Sequence, residues 1–305
     1  MAIPTLNEVV YGQGGIFVPD ELSTELNMLL RDASQVEAFA RHIPMRRHTM
    51  TRRKQADGVL GYWVDAMNVK PKDAPTFESY TLTAEKMAVI VPVEDQLIED
   101  ADTDIANVIR TDVTGAFAEL LDRTYMGYEA TTPFAQSVSG TCPAAHSIAF
   151  GTGVDLAEDI NLAIEQVEAH GWAPTGMIAH PRTKARLRGL RDLLNTPIFA
   201  ENLRDGIREF SVFGIPMRFT RQVQEAGAPP ASEILMAYWP YVMIGDRTGA
   251  NSIQVSVSDE ATLTQGTDEP LNLWEMDLTA FRFVIRKAFV VKDENCLAKV
   301  TGVHA

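Results

Sequence analysis

Two strand-like runs, "GVLGYWVDAMNV" and "ESYTLTAEKMAVIVPV", lie within residues 58–93 and are rich in Val, Tyr, Trp, Thr and Ile. Between them "KPKDAPTF" has the prolines and Asp of a loop. The pair reads as one long hairpin, and an arm of ten residues reaches about 30 Å at the usual rise of a strand. A two-stranded ribbon is marginal alone in water. It must lie on something, and where its own domain is compact that something is another subunit. This one segment excludes most closed, self-sufficient folds.

The strongest helical period follows directly. After the acidic start "DADTD", Ile105, Val108, Ile109, Val113, Ala116, Phe117, Leu120, Leu121 and Tyr125 recur every three or four residues. The spacing predicts a helix over about 103–129, roughly 40 Å long, which suits a spine on which other parts are laid. Upstream, residues 1–20 read as an extended arm bent at Gly12, Gly14 and Gly15, and "PDELSTELNMLLRDA" reads as a short helix. Residues 131–153 are loop-rich. Beyond them α and β patterns alternate: a helix over 155–169, a buried strand "MIAH", and a basic helix "PRTKARLRGLRD" with Pro181 in its first turn. Further strands are expected in "FSVFGIPMRFT", "EILMAYWPYVMIGD", "NSIQVSVS" and "LWEMDLTAFRFVIRKAFVV". The long helix and the late strands then share one domain, with the α/β part inserted between them.

The chain has 305 residues and a net charge of −14. That acidity argues against a general nucleic-acid binder, which needs a basic surface. Yet "RHIPMRRHTMTRRK" (41–54) holds six Arg or Lys and no acid. An acidic protein that packs against itself needs such patches. We expect ion pairs between subunits, joining Arg41, Arg46, Arg47, Arg52, Arg53 and Lys54 to acids such as Glu94, Asp95, Glu99 and Asp100 in "EDQLIEDADTD". A solvated edge and contact with DNA are the alternatives. Trp63, Lys70 and Lys72 on the hairpin complete the candidate contact residues.

Chemistry is sparse. The sequence has no phosphate-binding Gly-rich loop, no Gly-x-Ser-x-Gly and no His-Glu-x-x-His. Cys142 and His146 are two ligands in a loop-like setting, short of a zinc site. His180 reads as a buried, hydrogen-bonded histidine, and the acids of 94–104 lack the Gly of a calcium loop. Cys142 and Cys296 are expected reduced. No catalytic, cofactor or metal site is expected. The start has no basic-then-apolar signal pattern and "MAVIVPV" is too short to cross a bilayer, so no membrane partner is expected.

In this order the pieces resemble the major capsid protein of tailed bacteriophages, the Hong Kong 97 fold. "GGIFVPDELSTELNMLL" is similar to its arm and first helix, residues 50–93 to its E-loop, and "VIVPVEDQLIEDADTDIANVIRTDVTGAFAELLDRTYMGYE" to the run into its spine helix. "GMIAHPRTKARLRGLRD" and "FGIPM" resemble its A-domain, and "YWPYVMIGDRTGANSIQVSVSDEA" and "RFVIRKAFVV" the closing P-domain strands. The resemblance implies an α+β fold divided as follows: arm and first helix 1–45; E-loop hairpin 46–93; P-domain with spine helix 94–145 and 244–286; A-domain 146–243 and 287–305. It implies pentamers and hexamers forming an icosahedral shell around double-stranded DNA, a virion assembled in host cytoplasm. The implied partners are a separate scaffolding protein, a portal protein, DNA held by non-specific contact, and a decoration protein as an option. Met67 stands where cross-linking members carry Lys, and Asp277 near their Glu, with Lys70, Lys72 and Asn272 close by in sequence. An encapsulin-type nanocompartment shares the fold, and a small α/β enzyme is the reading from another class.

Overall fold

The computed structural model describes residues 28–30, 33–64, 67–100, 105–190, 202–204, 207–223, 225, 231–247, 253–264 and 270–304. The expected arm and most of the first helix lie outside these residues. A short helix α1 (Gln35–Phe39) begins at Ser34, whose hydroxyl accepts from the Glu37 amide. Four strands follow: β1 (Arg41–Met45), β2 (Thr49–Asp57), β3 (Thr76–Thr83) and β4 (Glu85–Glu94).

The ribbon exists, but its arms are not the expected ones. Its first strand is β2, the basic run itself, paired antiparallel with β3 so that Thr51 faces Thr81 and Lys54 faces Glu78. The apolar "GVLGYWV" has no strand partner and forms the tip. β-Branched and aromatic residues favour a pleated surface only where a neighbouring strand supplies one. The second expected strand is broken at Ala84: β3 stays in the ribbon, and β4 crosses into the core to pair with β15 (Leu278–Val291).

α2 (Asp95–Asp100) leads to the spine helix α3 (Ile105–Met126), 22 residues or about 33 Å. It ends at Gly127, whose φ of +93° admits glycine and where a Cβ would run into the Ser137 side chain. The loop-rich stretch contains α4 (Val138–Thr141), a 3-10 turn at Ala144–His146 and β5 (Ser147–Ala149). Next come α5 (Leu156–Glu168), β6 (Gly176–Ala179) and α6 (Pro181–Gly189). Then follow β7 (Asn202–Arg204), β8 (Ile207–Val212), β9 (Ile215–Phe219) and β10 (Ala231–Ala237). The chain continues through β11 (Val242–Arg247), β12 (Ile253–Ser258), β13 (Thr262–Leu263) and β14 (Leu271–Asn272), and closes with β15 and β16 (Leu297–His304).

A seven-stranded sheet, β5-β16-β10-β6-β9-β8-β7, forms one body. The other is a five-stranded sheet centred on β15, which pairs with β4 on one edge and with β11 and β12 on the other, β1 lying parallel outside β11. "EILMAYWPYVMIGD" supplies β10 to the first sheet and β11 to the second, the turn at Trp239–Tyr241 carrying the chain across. β15 runs unbroken through residue 286, and β16, which lies outside the expected strands, returns to pair with β10.

The two faces of β6 and β10 explain how the bodies join. Met177, Ala179, Ile234 and Met236 pack with Leu156, Ile160, Ala163, Val167 and Leu187 of the helices α5 and α6. The alternate residues Ile178, Leu235 and Ala237 face a second core with Phe117, Leu121 and Tyr125 of α3 and Phe281, Phe283, Ile285 and Phe289 of β15. A third, smaller cluster of Ile43, Met45, Leu82, Ala84, Met243, Ala288 and Val290 roots the ribbon. Gly245 is required there, because a Cβ would strike Met45 and Ala288.

Candidate self-assembly surface

The ribbon leaves the body with a firm base and a naked tip. At the base the Ala84 amide donates to the His48 carbonyl at 2.8 Å, and the Lys54 ammonium donates to the Lys292 carbonyl at 3.1 Å. At the tip Asp73 closes the loop by accepting from the Leu60 and Ala74 amides at 2.6 and 2.9 Å. Held this way, Val59, Leu60, Trp63, Met67, Val69 and Phe77 are all exposed, Trp63 and Met67 completely. Scattered apolar side chains on a surface are ordinary. A contiguous set on a projecting loop marks a contact surface.

The other candidate residues fall as follows. Arg41 on β1, Arg46 and Arg47 in the following turn, and Arg52 and Arg53 on β2 are exposed. No ion pair among the described residues joins them to Glu94 or Asp95. Lys70 and Lys72 are exposed beside the apolar tip, and Glu94 is exposed at the end of β4. Two candidates are engaged within the chain: Lys54 pairs with Glu78 at 3.2 Å, and Asp95 accepts from Thr279. Glu99 and Asp100 belong to α2, and their side chains lie outside the described residues. Met67 is at the tip, Asn272 on β14, and Asp277 sits at φ +51° just before β15.

Sequence reading missed the polar group that ties the ribbon's root to the spine. Lys287 lies at an inward-facing position of β15, in line with Phe283, Ile285 and Phe289, and its side chain is 3% exposed. Its ammonium is 2.9 Å from Glu37 Oε1 and 2.7 Å from Asp246 Oδ1. His42 spans Asp246 Oδ2 at 2.9 Å and the Glu37 carbonyl at 3.1 Å. Burial works to raise the Asp246 carboxyl, but the His42 hydrogen bond and the Lys287 charge outweigh it and hold it well below the usual range. On α3, Asp122 accepts from Ser34 Oγ at 2.6 Å and from the Gln35 and Val36 amides at 3.0 and 3.1 Å. Burial nevertheless pushes Asp122 up to about 6, with the nearby Glu37 adding to the rise. The readable signal was the period of two in "FRFVIRKAF", which sets one lysine among buried aromatics and so demands a buried acid.

A second polar group has the look of chemistry without its means. The Lys299 ammonium is 2.9 Å from Ser139 Oγ, but it also approaches Glu233, and the Ser139 and Tyr128 hydroxyls both donate to Glu233 Oε2 at 2.7 Å. The serine hydroxyl already donates to Glu233 and its oxygen accepts from Lys299, so the set closes on itself as a hydrogen-bond cluster. His180, expected to be buried, is half-buried at the start of α6, its Nδ1 lying 3.0 Å from Glu225 Oε1 and 3.3 Å from the Arg182 amide. Among the described residues, no three His, Cys, Asp or Glu side chains are placed to share a metal.

A two-bodied subunit with a rooted ribbon, an uncovered apolar tip and no reactive constellation among its described residues is a building block, completed by other molecules. The comparisons agree. The model of the phage capsid family matches residues 14–302. The major capsid protein of Klebsiella oxytoca phage phiKO2 is 24% identical over 306 residues, covering 96% of this chain and 69% of that protein. The probable major capsid protein gp17 of Mycobacterium phage L5 is 25% identical over 288 residues, covering 89% and 85%. Among solved structures, Microbacterium phage Oxtober96 aligns with a TM-score of 0.72 at 28% identity over 88% of this chain and 90% of that one. Mycobacterium phage Adephagia aligns with a TM-score of 0.70 at 26% identity over 88% and 89%. The chain belongs to the phage capsid family, with the Hong Kong 97-type α+β fold, and is a shell-forming major capsid protein of the tailed-phage kind.

Proposed function

We propose that copies of this chain join as pentamers and hexamers into an icosahedral shell around double-stranded DNA, each ribbon lying across the neighbouring copy. The observation that carries this is the tip: Trp63 and Met67 are fully exposed on a loop whose closure by Asp73 presents them rather than folding them back. Arg46, Arg47, Arg52 and Arg53 meet a neighbour's acids, Glu94 and those of α2 among them, and Lys70 and Lys72 flank the apolar contact. Lys54 and Asp95 serve their own chain instead. Met67 offers a thioether where a cross-link needs an amine, so the contact at that position is non-covalent.

DNA inside the shell touches it without sequence preference, as the acidity of the chain favours. The subunit acts by packing, with no catalytic step. A separate scaffolding protein, a portal and an optional decoration protein are its partners, and assembly takes place in host cytoplasm. That the named relatives are phage capsid proteins favours a genome over an enzyme cargo. The test is a tip deletion, residues 58–75 replaced by a short Gly-Ser turn. A cut over 55–88 is unsuitable because it removes Leu82 and Ala84 from the ribbon's root and the first residues of β4. We expect folded subunits and no shells by negative-stain microscopy. Intact shells from that variant refute the reading.

A further inference from the structure

The seven-stranded sheet carries two helices on one face whose outward surfaces have opposite charge. α5 lies over β16 and β5, and presents Glu158, Asn161, Glu165 and Glu168 to solvent at helical spacing. α6 lies toward the other flank, where Lys184 turns inward, 5.7 and 5.5 Å from the Phe210 and Phe219 rings of β8 and β9. Its outer face presents Arg182 and Arg186, one turn apart, with Ala185 between them. We propose that the basic face of α6 on one copy docks on the acidic face of α5 on the next, as a head-to-tail contact that closes the ring of a capsomer. This rests on the shell reading above.

Several observations point to a second copy as the occupant. The signs are complementary, and the paired charges on each helix are about one turn apart, so they can meet two to two. Glu165 and Glu168 have no ion-pair partner among the described residues. Arg186 is held ready: it is exposed, and its guanidinium lies 5.1 Å from the Phe150 ring, which restrains it before any partner arrives. Arg182 is anchored through Nε to Glu225 at 3.2 Å and keeps half of its side chain in solvent. The faces are also unlike one another and sit on different helices. A contact between unlike faces is heterologous, and a heterologous contact generates a ring where its rotation closes. On a chain of net charge −14, a helix of sequence PRTKARLRG with no acid is where a like copy can approach without repulsion.

The experiment is a charge swap in the full chain. Glu165→Lys with Glu168→Lys, and separately Arg182→Glu with Arg186→Glu, should each lower the assembled fraction at least tenfold at physiological salt. All four changes together should restore it to within about threefold, which a merely misfolded variant cannot do. Mixing the two half-variants gives alternating partners, which can close six-membered rings but not five-membered ones. Sheets or tubes without closed shells are expected from the mixture. Normal shells from either half-variant overturn the proposal, including the case where the arginine variant assembles but packages less DNA, which assigns α6 to nucleic acid. Failure of the fourfold variant to assemble overturns it as well. A wild-type chain that stays monomeric instead sinks the shell reading, and this contact with it.

Discussion

Trp63→Ala is the most informative single change, because the side chain packs against none of the described residues of its own subunit. It is fully exposed at the ribbon tip. Covering a Trp removes about 150–250 Å² from water, and at about 25 cal/mol per Å² that is an upper bound of about 4–6 kcal/mol. Ordering the tip on a neighbour costs about 0.5–1.5 kcal/mol per immobilised side chain. About 2–6 kcal/mol per contact remains, the size of an interface hot spot, and each 1.4 kcal/mol is about tenfold in affinity. The lowest concentration at which shells form, followed by light scattering and sedimentation, should therefore rise by at least about 30-fold. The thermal midpoint of the unassembled subunit should not move. A threshold within twofold of wild type refutes the reasoning, and so does a destabilised free subunit, since that places Trp63 against its own chain.

Three further outcomes follow from the buried and charged groups. Lys287→Met leaves Glu37 and Asp246 facing one another without a cation, which costs about 3–5 kcal/mol; a melt of the free subunit should drop by about 5–8 °C, and an unchanged midpoint counts against the network. Asp122 has its folded pKa raised to about 6, so the folded state favours its protonated form and the stability it contributes at low pH is lost as pH climbs from about 4 to about 6. Relative to Asp122→Asn, wild type should lose about 2–3 kcal/mol across that window in urea titrations; parallel profiles rule this out. Asp246, held low, acts in the opposite sense and only below about pH 4. Arg46→Glu with Arg47→Glu should leave the subunit folded, because both are exposed, and abolish shells in negative stain, each exposed pair contributing only about 0.2–1 kcal/mol but recurring in every copy. Normal particles from that variant return the basic run to a solvated edge.

Much of the organisation was legible because it is local. The period of "IANVIRTDVTGAFAELLDRTY" defined α3 to within a few residues, though not its stop at Gly127, which falls inside the expected 103–129. The helix at 156–168, the strand before Pro181 and the existence of a ribbon followed from spacing and turn residues in the same way. The ribbon's pairing did not, because propensity cannot tell which of two strand-like runs finds a partner. Thr49–Asp57 won over the more apolar 58–64 because its threonines, Lys54 and Met50 meet Thr81, Glu78 and Leu82 across the ladder. The contact candidates show the same divide: exposure of the arginines followed from charge, whereas the in-chain roles of Lys54 and Asp95 depend on Lys292 and Thr279, far away in sequence.

By itself, then, the order of residues determined the long helix and several of the other helices and strands, that one ribbon stands clear of the body, and that an acidic surface carries basic breaks. Those properties depend on neighbours within a few positions. Only the tertiary structure decided that β4 leaves the ribbon for β15, that β10 and β11 serve different sheets, and that Glu37, Asp246 and Lys287 share one buried site. The reason is physical: a hydrogen-bond ladder or a buried charge is satisfied by whatever the fold brings within about 3 Å, and sequence distance has no bearing on that.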